Sequence, residues 1–329
     1  MNTRARRLLS GIAIAAVLLL GQGAFVRAAG PSATPFASSV ATPASGPTGN
    51  EMLSVQPSLL SLTAKAGATT TAQLTIRAAA NLSLTIKAQG LGQGIDGNFT
   101  TLNPDQDASP YSARAMLSVS PDSLTVKPGD TVKLTVSVAV PANVGDGSRY
   151  AILSITGFPP SPSGSSNVGF GVELGVSTII QIANTTQTKT GSIDGIDVAK
   201  ALPGQALPVT VSFKNTGNSH FGATPDELVA SAVLLDSTGA QLASATADGN
   251  NLSVLPSFVR DMPMSMTPSK ALVDGSKYHI EVGVGLKDGT VFDRKALDFT
   301  WSGGGVISST PAPLQTPPVS SPTPTSDTG

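Results

Sequence analysis

The chain has 329 residues, room for two domains of ~100–200 residues plus flanks. Apolar residues make up 40% and can build cores, while charged residues are only 12%, against ~25% in an average globular protein. A net charge of −1 leaves no basic surplus for a phosphate backbone, which excludes nucleic acid as a partner, and the lack of any cysteine excludes disulfides, thiol nucleophiles and cysteine metal sites.

Residues 1–28 read as a secretory signal peptide. Arg4, Arg6 and Arg7 form a basic start, Leu8 to Leu20 an apolar stretch, and Val26-Arg27-Ala28 a small-residue cleavage site. An uncleaved anchor is the alternative, although Gly21, Gln22 and Gly23 interrupt the ~20 apolar residues that a membrane-spanning helix needs. No second candidate span follows, so the mature chain is expected to carry no transmembrane span. Export without cysteine fits a bacterial protein that is extracellular or held in the cell envelope.

Residues 29–50 are Pro, Ala, Ser, Thr and Gly in the main and read as a disordered linker. Residues 51–188 then alternate apolar and polar residues with period 2, the mark of half-buried strands. Strands are expected at Leu53–Val55, Thr71–Ile76, Leu82–Ala88, Ala115–Val119, Val132–Val140, Ala151–Thr156 and Val172–Ile182. Pro128-Gly129 suits a type II turn. A half-repeat is visible: Ser54-Val55-Gln56-Pro57 with Lys65-Ala66-Gly67, then Ser118-Val119-Ser120-Pro121 with Lys127-Pro128-Gly129. It reads as one sandwich with two similar halves, two small sandwiches being the alternative.

Residues 189–302 repeat the pattern. Val209–Phe213 alternates cleanly and ends at Asn215-Thr216-Gly217-Asn218. Hairpins are expected over Asp236-Ser237-Thr238-Gly239 and Lys287-Asp288-Gly289, and Leu297–Trp301 as the last strand. Residues 303–329 return to Pro, Ser and Thr and read as a disordered tail.

One phrase occurs in both modules. Asp146-Gly147-Ser148-Arg149-Tyr150 and Asp274-Gly275-Ser276-Lys277-Tyr278 each lead into a strand. Gly permits the turn, and the tyrosine stands where the tyrosine corner of an immunoglobulin-like sandwich stands. Each phenol is expected to bond a backbone group across its own turn, and the two modules to behave as independent cores. The fold class is therefore all-β: two tandem immunoglobulin-like β-sandwich domains with disordered N- and C-terminal flanks.

The stretch Pro121 to Ile182, with its Lys127-Pro128-Gly129-Asp130 turn and Gly147-Ser148-Arg149-Tyr150, followed by Phe213 to His220 and Leu235 to Gly239, resembles the WxL-interacting family of bacterial surface proteins. The resemblance implies an Ig-like peptidoglycan-binding domain followed by a second Ig-like domain that engages a host or matrix partner. The chain departs from that family in having no C-terminal membrane helix with a basic tail.

No catalytic, cofactor or metal site emerges. His220 reads as a loop hydrogen-bonder and His279 as a solvated strand residue. Lys189-Thr190-Gly191 matches one motif of penicillin-recognising enzymes, but the companion Ser-x-x-Lys is missing. Asn103, Asp105 and Asp107 alternate like a calcium loop that lacks its Gly and Glu, and read as a polar surface loop. Trp301, Phe292 and Phe299 could stack on sugar but read better as core, as do Met262, Met264 and Met266. The expected partner is a cell-wall polymer or another surface protein. A structural spacer or assembly subunit without a small ligand is the alternative, and an accessory hydrolase with hidden carboxylates a remoter one.

Overall fold

A computed structural model describes residues 52–160, 171–202, 205–222, 227–248 and 252–314. The expected signal peptide, the linker 29–50 and the tail beyond 314 lie outside the described residues. What is described is strand-built, two tandem Ig-like sandwiches, with one short 3-10 turn at Arg114–Met116.

In the first sandwich, the small sheet has the order β1 (Leu53–Gln56), β3 (Thr69–Ala78), β8 (Thr131–Ala139) and β6 (Leu117–Ser120). The large sheet runs β2 (Leu59–Ala64), β10 (Val172–Ile182), β9 (Ser148–Phe158), β4 (Leu82–Gln93) and β5 (Phe99–Leu102), with β7 (Ser123–Val126) also on β4. Neighbours are antiparallel except β2 and β10, which run parallel from Leu59 opposite Ser177 to Ala64 opposite Ile182. Alternation puts Leu74 and Ile76 of β3, Leu134, Val136 and Val138 of β8, and Leu153 and Ile155 of β9 into one core.

The half-repeat is a structural repeat. In each half a short strand of the small sheet ends at a cis proline, Pro57 or Pro121, and the chain crosses to the large sheet. It then turns back at a glycine with positive φ, Gly67 or Gly129. The returning strands β3 and β8 pair at the centre with Leu74 opposite Leu134, so the two halves share a single core.

In the second sandwich β11 (Gly191–Val198), β12 (Leu207–Asn215) and β15 (Val259–Met266) form one sheet. The other has the order β14 (Gln241–Asp248), β13 (Leu228–Asp236), β16 (Lys277–Leu286), β17 (Val291–Ser302) and β18 (Gly305–Ala312). Met262, Met264 and Met266 face inward, as do Phe299 and Trp301. Phe213 and Phe221 meet edge-on at 5.5 Å and Phe292 packs on Phe221 at 5.1 Å. Phe213, Phe221, Phe299 and Trp301 are buried in the core, and Phe292 packs against it partly buried.

The expected tail needs correction at its start. Gly305–Ala312 is a strand, joined to β17 by a turn in which Gly303 and Gly304 take positive φ. Most of it is exposed, so it needs no buried alternate residues and carries no period-2 signal. An edge position tolerates Pro311, which has no N–H to give. The short strands β2, β5 and β7 escaped the sequence for a related reason: each is held by one neighbour strand in place of a long apolar pattern.

Tyr278 is a corner of the expected kind. Its phenol accepts the Val273 N–H at 2.8 Å, five residues back, and its ring packs on Phe299 at 5.7 Å. Tyr278→Phe should lower stability by about 0.5–1.5 kcal/mol by removing that bond. Tyr278→Ala should cost about 3–5 kcal/mol as a core aromatic truncation. Denaturant unfolding followed by Trp301 fluorescence measures both.

Candidate functional site: the cleft between the sandwiches

The loop that ends β12 is the place to begin. Asn215 is buried, and all of its amide is used on backbone. Its Nδ2 donates to the carbonyls of Ser219 and Val254, both at 2.9 Å, and its Oδ1 accepts the Gly217 N–H at 2.9 Å. This folds Thr216–His220 back against the connection between the sandwiches. Asn218 Oδ1 accepts the Thr188 N–H at 2.6 Å, and its Nδ2 donates to the Thr186 carbonyl at 2.9 Å. Gly217 must be glycine here, since a Cβ would lie 2.3 Å from the Thr188 oxygen.

The same loop then grips the first sandwich. Ser148 donates its N–H to the Asn218 carbonyl at 3.0 Å. Gly147 makes that approach possible, because a Cβ on it would stand 2.3 Å from the same carbonyl oxygen. Arg149 stiffens the turn: its guanidinium donates to the carbonyls of Gly145, Asp146 and Ser148 and lies 5.6 Å over the Tyr111 ring.

Tyr150 breaks the symmetry expected of the two phrases. Its phenol accepts the N–H of His220, in the other sandwich, at 2.9 Å, and lies 3.1 Å from His220 Nδ1. Burial lowers His220 from its ordinary pKa and so favours the neutral ring, whose Nδ1 can accept the phenol hydrogen. Tyr150 is only 3% exposed and packs with Leu91 and Leu255 in a small apolar cluster drawn from both sandwiches. Burial pushes the phenol up to about 12, with hydrogen bonds and Arg149 pulling the other way.

A second clamp lies on the far side of that cluster. Gln93 donates to the Ser253 carbonyl at 2.7 Å and accepts the Leu255 N–H at 2.9 Å. Arg260 Nη1 also reaches Ser253 O, at 3.0 Å, and its guanidinium lies against Gly97, where a Cβ would come within 2.3 Å of Cζ. Asp261 donates its N–H to the Ile95 carbonyl at 2.8 Å. The expectation of independent modules is thus corrected. Two hydrogen-bonded clamps with apolar packing between them join the cores.

Around the joint lies a cleft of about 1150 Å³. Leu59 and Ser61 of β2 and Ile179 and Gln181 of β10 line one side, Leu252 the other, with Phe99 of β5 at the mouth. Leu59 is 50% and Phe99 44% exposed. The charges in it are mostly engaged. Lys189 is ion-paired with Glu227, whose other oxygen accepts the Gly222 N–H at 2.9 Å. Arg260 is lowered from its ordinary pKa by burial, with Asp96 opposing.

The remaining candidates lie elsewhere. His279, expected in solvent, is 7% exposed, because Asp298 at 2.6 Å and Glu281 at 3.3 Å enclose its two ring nitrogens. Asp107 is no surface residue of a polar loop. Its side chain is 1% exposed, held by Ser112 Oγ at 2.5 Å and Arg114 Nε at 3.3 Å. It lies over Gly90, whose missing Cβ makes room for the carboxyl. Asn103 instead donates its N–H to Gln106, and Asp105 points to solvent. Among the described residues no group of three or more His, Cys, Asp or Glu could hold a metal ion. No helix among them is long and apolar enough to cross a membrane.

No protein-family model matches the chain, and no curated protein matches it. Solved structures do. The E. coli chaperone DraB is 11% identical, over 80% of this chain and 96% of that one, with a TM-score of 0.37. The class 5 fimbriae chaperone CfaA is 9% identical, over 80% and 100%, with a TM-score of 0.37. The Salmonella enterica SafA pilin in complex with the SafB chaperone is 13% identical, over 82% and 99%, with a TM-score of 0.34. At this level the neighbours carry no inference about partner or activity.

Two outcomes follow from the joint. Tyr150→Phe, which keeps the ring and removes both phenol bonds, should lower stability by about 0.5–1.5 kcal/mol per bond. Tyr150→Ala should cost about 3–5 kcal/mol and split one calorimetric transition into two, since it opens the cluster shared by both sandwiches.

The second outcome concerns acid. Burial, then the charge of Lys189, lowers His220 from its ordinary 6.5, with Glu227 opposing. The folded chain therefore favours the neutral ring, and below the unfolded value the unfolded chain binds more protons. This contribution to stability is complete above about pH 6.5 and is lost as pH falls through the lowered folded value. Between about pH 7.5 and pH 5, Tm should fall more steeply in the native chain than in His220→Gln.

Proposed function

We propose that the chain is an exported, non-enzymatic assembly protein that holds a protein partner in the cleft between its two sandwiches. The observation that carries this is the cleft itself. Its walls are fixed by the joint, its mouth exposes Leu59 and Phe99, and the groups best suited to chemistry are already occupied. His220 is tied to a phenol and Lys189 to Glu227. A volume of about 1150 Å³ exceeds the ~300–1,000 Å³ typical of small-ligand pockets and suits a segment of polypeptide better. Export rests on the basic and apolar start of the sequence.

A cell-wall polymer is the competing partner, and the resemblance to WxL-interacting proteins belongs with that reading. Photo-crosslinking residues placed at Leu59 and at Phe99, in cells that make the protein, test the two together. Discrete protein adducts are expected from both sites and none from Val291, which is exposed on the second sandwich away from the cleft lining. Absence of adducts at Leu59 and Phe99, with the purified chain sedimenting on peptidoglycan, would reverse the assignment.

A further inference from the structure

The first strand of the large sheet has an unused side. β2 pairs with β10 through one edge, and no strand among the described residues pairs with the other. About half of the N–H and C=O groups of its six residues therefore point away from the sheet. Natural edges are normally blunted by charge, proline or a bulge, or covered. β11 shows these devices: it carries Asp194 and Asp197, is bulged between Ile193 and Gly195, and its Ile193 N–H is capped by Asp293 at 2.8 Å. β14 is steadied by the Ser269 N–H to Leu242 carbonyl bond at 2.8 Å. β18 has a register shift opposite Thr300 and Trp301, and Pro311 near its end. β2, with the sequence LLSLTA, has no charge, no proline and no bulge in its pairing.

Two further observations bear on what could lie there. Leu62 of β2 and Val55 of β1 only partly enter the core, on the flank where these two edge strands succeed one another. Inward-pointing side chains of an added strand would cover them. On the outward face, Leu59 and Ser61 open into the cleft beside Ser177, Ile179 and Gln181 of β10, none of them charged, while the charged residues of the cleft, Asp96, Lys189, Glu227 and Arg260, stand on other elements. The second sandwich forms the opposite wall of this cleft.

We propose that β2 is a docking edge that takes an extended, uncharged segment of another protein as an additional strand, with apolar residues at every second position. The inference rests on the cleft as a protein-binding site and adds the partner's chemistry and conformation. Main-chain bonds would supply attachment, and side-chain alternation the selectivity.

The test uses the full chain and a synthetic neutral peptide of alternating Val and Thr. Hydrogen exchange is followed at the amides of Leu59–Ala64. Exchange there should slow with the peptide, and should not slow with a peptide carrying Pro at its centre. Ser61→Lys, an exposed substitution that leaves the core alone, should abolish the protection. The inference is overturned if those amides stay unprotected, if β18 is protected equally, or if sedimentation shows that the edge is filled by a second copy. Crosslinks at Leu59 without protection of β2 would sink this inference and leave the cleft reading standing. Protection of β2 without crosslinks in cells would do the reverse.

Discussion

A buried phenol between two sandwiches is the constraint on which the arrangement depends. Tyr150 belongs to the first core by its strand and to the second by its hydrogen bonds to His220. Both bonds require the Asn215–His220 loop in its observed shape, which uses the whole amide of Asn215. Asn215 shapes the loop, Asn218 pins it to the connection, and Ser148 and Tyr150 bond groups of that loop. A buried phenol or amide left without partners would cost about 1–3 kcal/mol.

The repeated phrase shows how one local solution can serve two ends. In both copies an Asp-Gly turn with positive φ delivers a tyrosine to the start of a strand, and in both the ring is buried. In the second copy the nearby Val273 N–H lies within reach of the phenol. In the first copy Gly147 and Ser148 are taken up by Asn218, and the phenol finds its donor in the other sandwich. The basic residue differs likewise. Arg149 is buried and holds three carbonyls, while Lys277 lies in solvent. Arginine's planar fork can satisfy several acceptors at once, which suits a turn sealed inside an interface.

The low charge of the chain has a structural counterpart. With few ionic groups to spend, the protein joins its sandwiches mainly through backbone groups, amides and one phenol, the Arg260 guanidinium against Gly97 being the charged exception. The neutral contacts among these are nearly insensitive to salt, while the imidazole makes the joint sensitive to protonation. The same economy leaves β2 without the charges that usually guard an edge strand.

Alternation and turn residues were enough to read the β class, the two sandwiches, most long strands and the glycine turns. These follow from period-2 alternation and from φ > 0 at glycine, both local properties. Val209–Phe213 and Val132–Val138 could be read because every second side chain is buried against the facing sheet. Alternation also marked Trp301, Phe299 and the three methionines as core, because their spacing places them on one side of a strand. The joint and the cleft are visible only in the folded chain. His220 and Tyr150 are 70 residues apart, and no periodicity relates a loop in one sandwich to a turn in another. The enclosure of His279 and the burial of Asp107 were hidden for the same reason, since each depends on a neighbour brought in by pairing or by a turn. β18 escaped because an exposed edge strand buries little and so imposes no pattern on its residues. Burial against one's own sheet writes itself into sequence. A contact between two folded bodies does not, because it is made by single residues whose spacing is set by everything folded between them.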